Sequence, residues 1–343
     1  MEIKTSQKNY PVYLEDHPLK HFKKGSMDKI LLVTDENVGK IYLAPIKDYF
    51  QTQGLEVTTF VIHPGEASKS LIGAEKMYHV LLGEHFTKSD GIVALGGGVV
   101  GDLSGFVAST YLRGLPFYNI PTSLLAQVDA SIGGKTAVNL AEGKNLVGTF
   151  YQPEAVFIDP YYLETLPELR MAEGFSEIIK MAAGFDADFF AQLNHFLKEN
   201  WEDERLEIIE KALTIKQHAI EGDVFDNGQR LKLNFGHTLG HALEKNSEFT
   251  YSHGEAVALG MVAITKESER RGLTKAGTTQ QLIAILEKFN LPTTWPEVDM
   301  EEIMDTLRFD KKGRGDTIQL VILKEIGIAE IFPVSFDAFS MWF

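Results

Sequence analysis

The apolar run Asp90-Gly-Ile-Val-Ala-Leu95 passes without a break into Gly96-Gly-Gly98-Val-Val-Gly101-Asp102, and this junction restricts the chain more than any other segment. A short continuous apolar run suits a strand buried on both faces. The glycines after it permit a tight turn, from which an apolar helix leads away to about Ser109. Residues 29–34, ended by Asp35-Glu-Asn37, and Glu56 to Ile62 fit further buried strands, Leu71 to Leu82 has helical spacing, and strand signals recur at 117–120 and 155–158. Strands alternating with helices predict a parallel sheet with helices on its faces.

From about Glu168 the pattern changes. Amphipathic stretches around 173–184, 187–199, 203–220, 234–245, 254–271 and 277–289 predict a mostly helical second half, with a short strand at 318–323. The expected organisation is an α/β domain over 1–165 and a mainly α-helical domain over 166–343. Ligand sites favour the cleft between such domains.

Gly96-x-Gly98-x-x-Gly101 matches a dinucleotide fingerprint, in which glycine lets the backbone approach a pyrophosphate at the positive end of a helix. The same glycines would also serve a plain strand-to-helix turn. The usual acid about 20 residues further on is missing, since that region reads Tyr118-Asn-Ile-Pro-Thr122. Asp35, at the end of an earlier strand, could hold the ribose instead, with Glu66 and Lys69 near the adenosine. Gly133-Gly-Lys135 and Gly143-Lys144-Asn145 are glycine-flanked lysines, which suit an oxyanion on a flexible backbone or simply a solvated loop. The spacing of the Walker loop is only half met, which argues against a nucleotide triphosphatase.

His237 and His241 stand four apart, His253 follows in Ser-His253-Gly-Glu255, and Glu177 lies upstream in Phe-Ser-Glu177-Ile-Ile-Lys180. Residues four apart share a helix face, about 6 Å apart along the axis, so His237 and His241 can look into one pocket. Zinc takes imidazole nitrogen and carboxylate oxygen, and a catalytic zinc keeps three protein ligands and an open position; Glu177, His237 and His253 would supply that set. Singly, each histidine would pass for a satisfied polar group and Glu177 for a solvated helix face. Thr238, not Glu, follows the first histidine, so the metalloprotease pattern is absent. Lys180, Lys216 and Arg230, taken alone, would also pass for surface charges.

Lys+Arg 33 against Asp+Glu 48 leaves a net charge of −15, which repels nucleic acid. The chain has no cysteine, which excludes disulfides and thiolate catalysis and fits the cytoplasm. Neither an apolar signal core nor a membrane span is expected, because Gly91 to Thr110, the most apolar stretch, carries Asp102 and six glycines.

Together these segments resemble the 3-dehydroquinate synthase family over nearly the whole chain, from about Asp35 to Lys312. The resemblance is carried by Gly96-Gly-Gly-Val-Val-Gly-Asp102, Pro121-Thr-Ser-Leu-Leu-Ala-Gln-Val-Asp129-Ala-Ser-Ile-Gly-Gly-Lys135-Thr-Ala-Val-Asn139, Gly143-Lys-Asn-Leu-Val-Gly148, Glu177-Ile-Ile-Lys180, Asn234-Phe-Gly-His237-Thr-Leu-Gly-His241 and His253-Gly-Glu-Ala-Val. It implies a Rossmann-like N-terminal nucleotide domain, a helical C-terminal metal domain, a homodimer, and NAD and Zn2+ or Co2+ as cofactors. The implied reaction, in the shikimate pathway, converts 3-deoxy-D-arabino-heptulosonate 7-phosphate to 3-dehydroquinate and phosphate. It runs through oxidation, elimination, reduction, ring opening and aldol closure, with NAD+ returned unchanged.

The resemblance also implies roles. Glu177, His237 and His253 would hold the metal. Asp35, Asn37, Glu66, Lys69, Gly97, Gly98, Val99, Asp102, Thr122, Ser123 and Thr165 would line the NAD site, with Lys135 and Lys144 shared between cofactor and substrate. Lys135, Lys144, Asn145, Asn234 and His241 would face the phosphate, with Arg113 reaching across from the second subunit. Lys180, Lys216 and Arg230 would take the carboxylate and hydroxyls, Asp129 would lie near the nicotinamide, and Lys311 or Lys312 would add a phosphate contact. The competing expectations are another sugar-phosphate cyclase, of the 2-deoxy-scyllo-inosose synthase type, and a metal-dependent polyol dehydrogenase.

Overall fold

The structure, a computed structural model, describes residues 1–226, 228–247, 250–310 and 317–342. Lys311 and Lys312 lie outside the described residues. The chain separates into two compact units, Met1–Pro167 and Glu168–Phe343.

The first unit holds strands β1 (Glu2–Ile3), β2 (Tyr10–Leu14), β3 (Lys29–Asp35), β4 (Glu56–Ile62), β5 (Gly91–Gly96), β6 (Phe117–Pro121), β7 (Lys135–Leu140), β8 (Gly143–Phe150) and β9 (Ala155–Ile158). Seven form one sheet in the order β1-β2-β9-β6-β5-β3-β4, with every neighbouring pair parallel except β1 with β2. Its central strands are continuous apolar runs because both faces are covered. Leu31, Val33, Ile92 and Ala94 enter the core under helices Leu71–Gly83 and Gly98–Thr110, whereas Ile30, Leu32, Val93 and Leu95 face helix Ala44–Thr52. From β3 the chain moves to β4 on one side and then crosses to β5 on the other. Strand order therefore reverses between β3 and β5, and in such sheets the crevice at the carboxyl ends of those strands is the ligand position.

Strands β7 and β8 correct the sequence reading. Lys135 opens β7, and Lys144 and Asn145 lie in β8, so the glycine-flanked lysines belong to an antiparallel hairpin and not to flexible loops. Apolar residues are no denser in these strands than in the chain as a whole; the hairpin packs on the neighbouring helix. Gly105 makes that possible, since a β-carbon there would stand 2.4 Å from Thr136 Cγ2.

The second unit contains helices Glu168–Phe185, Ala187–His195, Trp201–Ile220, His237–Asn246, His253–Arg270, Thr278–Lys288 and Met300–Asp310, then an antiparallel hairpin of β10 (Thr317–Glu325) and β11 (Ile328–Ser335). The helix expected from 234 starts at His237, because Gly236 turns at φ +80° and Gln229–Asn234 form a separate 3-10 segment. The helix expected to reach 199 stops at His195. There Phe196 turns to extended backbone and places its ring against Phe175 and Phe289, with centroids 6.1 and 6.0 Å away. Strand β11, helix Met300–Asp310 and strands β1 and β2 were not expected; Pro333 inside the run argues against a strand in the sequence of β11. No described helix is long and apolar enough to cross a membrane.

Candidate functional site

Glycines build the centre of the second unit. A β-carbon at Gly260 would stand 2.1 Å from the Gly236 carbonyl oxygen, and one at Gly240 would stand 2.9 Å from that of Ala256. Helices His237–Asn246 and His253–Arg270 therefore meet backbone to backbone. At Gly254 an added β-carbon would fall 2.5 Å from Glu173 Cα, and Ser176 Oγ donates to the Gly254 carbonyl at 2.7 Å, so helix Glu168–Phe185 closes in on the same point. Backbone contact on three sides brings Glu177 to the histidines. The backbone N–H of Ser252 donates to Glu255 Oε2 at 2.9 Å, which fixes the first turn that carries His253.

Glu177 Oε1 lies 3.6 Å from His237 Nε2 and 3.4 Å from His253 Nε2. A tetrahedral metal with bonds of about 2.0–2.1 Å sets its ligand atoms roughly 3.3–3.4 Å apart, which these separations match. Glu177 is fully buried, and its Oε1 has no hydrogen-bond partner, while Oε2 accepts from Lys180 Nζ. The far sides of both rings are tied: His237 Nδ1 lies 3.3 Å from the Phe235 carbonyl and His253 Nδ1 lies 3.4 Å from Glu244 Oε2. Such contacts hold the proton on Nδ1 and turn Nε2 toward a metal.

Charge falls unevenly over the three residues. Burial would raise the Glu177 carboxyl, but the Lys180 ammonium and then the two imidazoles outweigh it and hold the group well below the usual carboxylate range. Burial, followed by the Lys180 charge, keeps His237 well below its usual value and so neutral. Burial also opposes the charge of His253, yet the carboxylates of Glu177 and Glu244 raise it to about 10. One anionic oxygen and two ring nitrogens at these separations fit a divalent zinc or cobalt ion.

His241 joins this cluster with its ring centroid 5.1 Å from that of His237 and 5.8 Å from that of His253. Its ligand atom groups with Glu244 and His253, not with Glu177. Lys180, Lys216 and Arg230 are 3%, 5% and 3% exposed, so they are not the surface charges they would be in isolation. Buried cations are costly without partners; Arg230 Nη1 donates to the Val224 carbonyl at 2.7 Å, and Asn234 ends the same 3-10 segment.

In the first unit the carboxyl ends of β3 and β5 carry Asp35 and Gly97. Gly98 and Val99 begin a helix of 13 residues, whose positive end suits a pyrophosphate. Asp35 Oδ1 accepts from the backbone N–H groups of Asn37 and Val38, at 2.8 and 3.1 Å. Lys69, buried, donates to Asp102 Oδ2 at 2.7 Å, with Glu66 4.0 Å away. Thr122 and Ser123 follow β6, and an added β-carbon on Gly97 would stand 3.3 Å from Ser123 Oγ. Asp129 lies in the turn Ala126–Ala130, and Thr165 shares a 2.8 Å hydrogen bond with the Tyr42 hydroxyl. Arg113 is not brought to this set. It follows the far end of helix Gly98–Thr110, about 20 Å from Gly98 at 1.5 Å per residue, on an exposed turn where Leu112 and Arg113 both take left-handed backbone, φ +49° and +68°.

Two residues escaped the sequence reading. Asn139 donates from Nδ2 to Glu66 Oε2 at 2.8 Å and accepts from the Asn145 backbone at 2.9 Å, joining the two segments. Glu244 is buried against His253. Its signal was available, because Glu244 stands seven after His237 and three after His241, on one helix face.

The family model described as 3-dehydroquinate synthase N-terminal matches residues 59–173, and that described as 3-dehydroquinate synthase C-terminal matches residues 174–313. A 3-dehydroquinate synthase of Enterococcus faecalis is 48% identical over 307 residues, covering 88% of this chain and 85% of its own. Among solved structures, 2-deoxy-scyllo-inosose synthase complexed with carbaglucose-6-phosphate, NAD+ and Co2+ superposes with a TM-score of 0.88 at 24% identity, covering 100% of this chain and 98% of its own. The 2-epi-5-epi-valiolone synthase of Streptomyces hygroscopicus, with NAD+ and Zn2+ bound, gives 0.89 at 24% identity, covering 99% and 97%. At that identity these two likenesses speak for the fold alone. With both family models matched in order along the chain and nearly half of the residues shared with a relative of that name, this chain belongs to the 3-dehydroquinate synthase family.

Proposed function

We propose that this chain converts 3-deoxy-D-arabino-heptulosonate 7-phosphate to 3-dehydroquinate and phosphate. The observation that carries the reading beyond family membership is the convergence of Glu177, His237 and His253 at metal-ligand separations. Buried Lys180 on the same helix, and buried Lys216 and Arg230 in the same unit, support an anionic substrate. When bound, the divalent metal supplies Lewis acidity to the substrate hydroxyls, and NAD+ accepts a hydride and gives it back.

The chain's own residues hold and orient. Lys216 and Arg230, with Lys180, take the carboxylate and hydroxyls, and Arg230 offers a planar fork for a carboxylate. Lys135, Lys144, Asn145, Asn234 and His241 hold the phosphate, so that the departing group stays against the carbon whose proton it removes. Asp35, Asn37, Glu66, Lys69, Gly97, Gly98, Val99, Asp102, Thr122, Ser123 and Thr165 take NAD+, and Asp129 lies toward its nicotinamide. The chain acts as a cytoplasmic homodimer, and Arg113 serves the partner's site. Its distance along helix Gly98–Thr110 from the glycine turn is the support for that assignment.

The test is phosphate release from the heptulosonate phosphate, with and without NAD+, before and after chelation. Product many-fold above bound NAD+, with no net NADH, supports the reading. Stoichiometric NADH with simple polyols would move the chain to the dehydrogenases. Turnover that survives complete chelation would sink the metal assignment.

A further inference from the structure

Glu244 is buried, 2% exposed, on helix His237–Asn246 and turns its carboxylate toward the ring of His253. A buried carboxylate is costly without a partner, and this one lies in the rows of the two histidines on its own helix, seven residues after His237 and three after His241. Its Oε2 lies 3.4 Å from His253 Nδ1, opposite the Nε2 that faces Glu177 Oε1 at 3.4 Å. His253 thus stands in line between two carboxylates, one on each side of its ring. His237 has a main-chain carbonyl in the corresponding place, which no side-chain substitution can remove. Glu244 is therefore the one side chain among the described residues that holds the far nitrogen of a candidate ligand.

We propose that Glu244 is a positioning residue: it keeps the proton of His253 on Nδ1, fixes the ring plane, and so presents Nε2 to the divalent ion. The inference rests on the metal reading above. A carboxylate behind a ligating imidazole raises its basicity and fixes its tautomer, and loss of such a partner typically lowers metal affinity about 10–100-fold. The cluster of Glu244 with His241 and His253 is on this view a support for the first ion and not a second ion site, since the His253 Nδ1 that a second ion would need carries the proton directed at Glu244.

The test compares wild type, Glu244→Gln, Glu244→Asp and Glu244→Ala, each freed of metal and shown by circular dichroism to be folded. Zinc affinity is read by competition with a chromophoric chelator, and cobalt by titration with the visible absorption of the bound ion as the signature. Glu244→Ala should bind zinc and cobalt about 10–100-fold more weakly and shift the cobalt bands, with Glu244→Gln and Glu244→Asp between it and wild type. NAD+ affinity should stay at the wild-type value in all three. If Glu244→Ala does not fold, the isosteric Glu244→Gln carries the test with a loss of several-fold or more. Wild-type affinity together with an unshifted cobalt spectrum in the folded variants would overturn the inference. Failure of wild type itself to bind either ion would instead remove the metal reading. Two cobalt ions per chain in wild type, falling to one in Glu244→Ala with the first spectrum unchanged, would replace positioning by ligation at a second site.

Discussion

Gly260 packs against the carbonyl of Gly236 so closely that a β-carbon on it would stand 2.1 Å from that oxygen. The obstacle is main chain, so no rotamer change relieves it. Gly260→Ala should destabilise the protein by about 3 kcal/mol or more and lower metal affinity, because it separates the helices that carry His237 and His253. Gly184→Ala is the control: its added carbon would meet Ala329 Cβ at an ordinary 3.4 Å, and stability should change by less than about 1 kcal/mol. Denaturant melts of both variants decide the matter; equal losses would refute it.

Glu177 serves both the candidate metal and Lys180. Glu177→Ala should abolish metal binding and also cost about 3–5 kcal/mol of stability, because it strands a buried ammonium. In Glu177→Ala/Lys180→Met the stability should largely return while metal binding stays lost. A double-mutant cycle with both readouts would expose a Glu177 that matters only for packing.

Lys69 Nζ, buried, donates to Asp102 Oδ2 at 2.7 Å beside the glycine turn. A charge-assisted hydrogen bond from Lys69 to a cofactor oxygen would be worth about 1.5–3 kcal/mol, roughly ten- to a hundredfold in affinity. Lys69→Ala should weaken NAD+ by about that factor and leave zinc affinity unchanged. Calorimetric titration of each ligand separates the two effects; a variant with normal NAD+ affinity would remove Lys69 from the cofactor site.

Asp90 ties the entry of β5 to that of β3: Oδ2 accepts from the Thr87 backbone and hydroxyl at 2.7 and 2.8 Å, and Oδ1 accepts from the Lys29 backbone at 3.0 Å. Burial raises its carboxyl, but these donors outweigh burial and leave it below the usual carboxylate value. A depressed folded value stabilises fully above the unfolded carboxylate pKa of about 3.9 and is lost as pH falls through the folded one. Asp90→Asn should therefore cost stability at pH 7, and the gap from wild type should narrow below about pH 4. A gap that stays constant down to pH 3 would contradict this linkage.

If Arg113 serves the partner's site, Arg113→Ala and His237→Ala should complement each other. A heterodimer of the two inactive variants contains one pocket intact in both respects, so mixed and re-associated subunits should recover up to about a quarter of wild-type activity, for random pairing and independent sites. Heterodimers that form without recovery would place Arg113 elsewhere.

Local chemistry made part of this protein legible in its sequence. The run from Ile92 to Leu95 is apolar throughout because both faces of β5 are covered, and Gly96 to Gly98 must follow where the chain turns into a helix. The spacing of His237 and His241 placed both rings on one face, since 3.6 residues per turn is a property of the backbone alone. Lys135 and Lys144 were misread as loop residues because their hairpin owes its form to the helix beneath it, which sequence neighbours do not record. The same holds for the site. Which carboxylate meets His253, Glu177 from a distant helix on one side and Glu244 on the other, depends on how closely three helix backbones approach. That approach is set by Gly236, Gly240, Gly254 and Gly260. In the sequence each is only a glycine, and it is the distance between packed helices, a property of the tertiary structure, that gathers scattered acids and histidines into one cluster at metal-ligand separations.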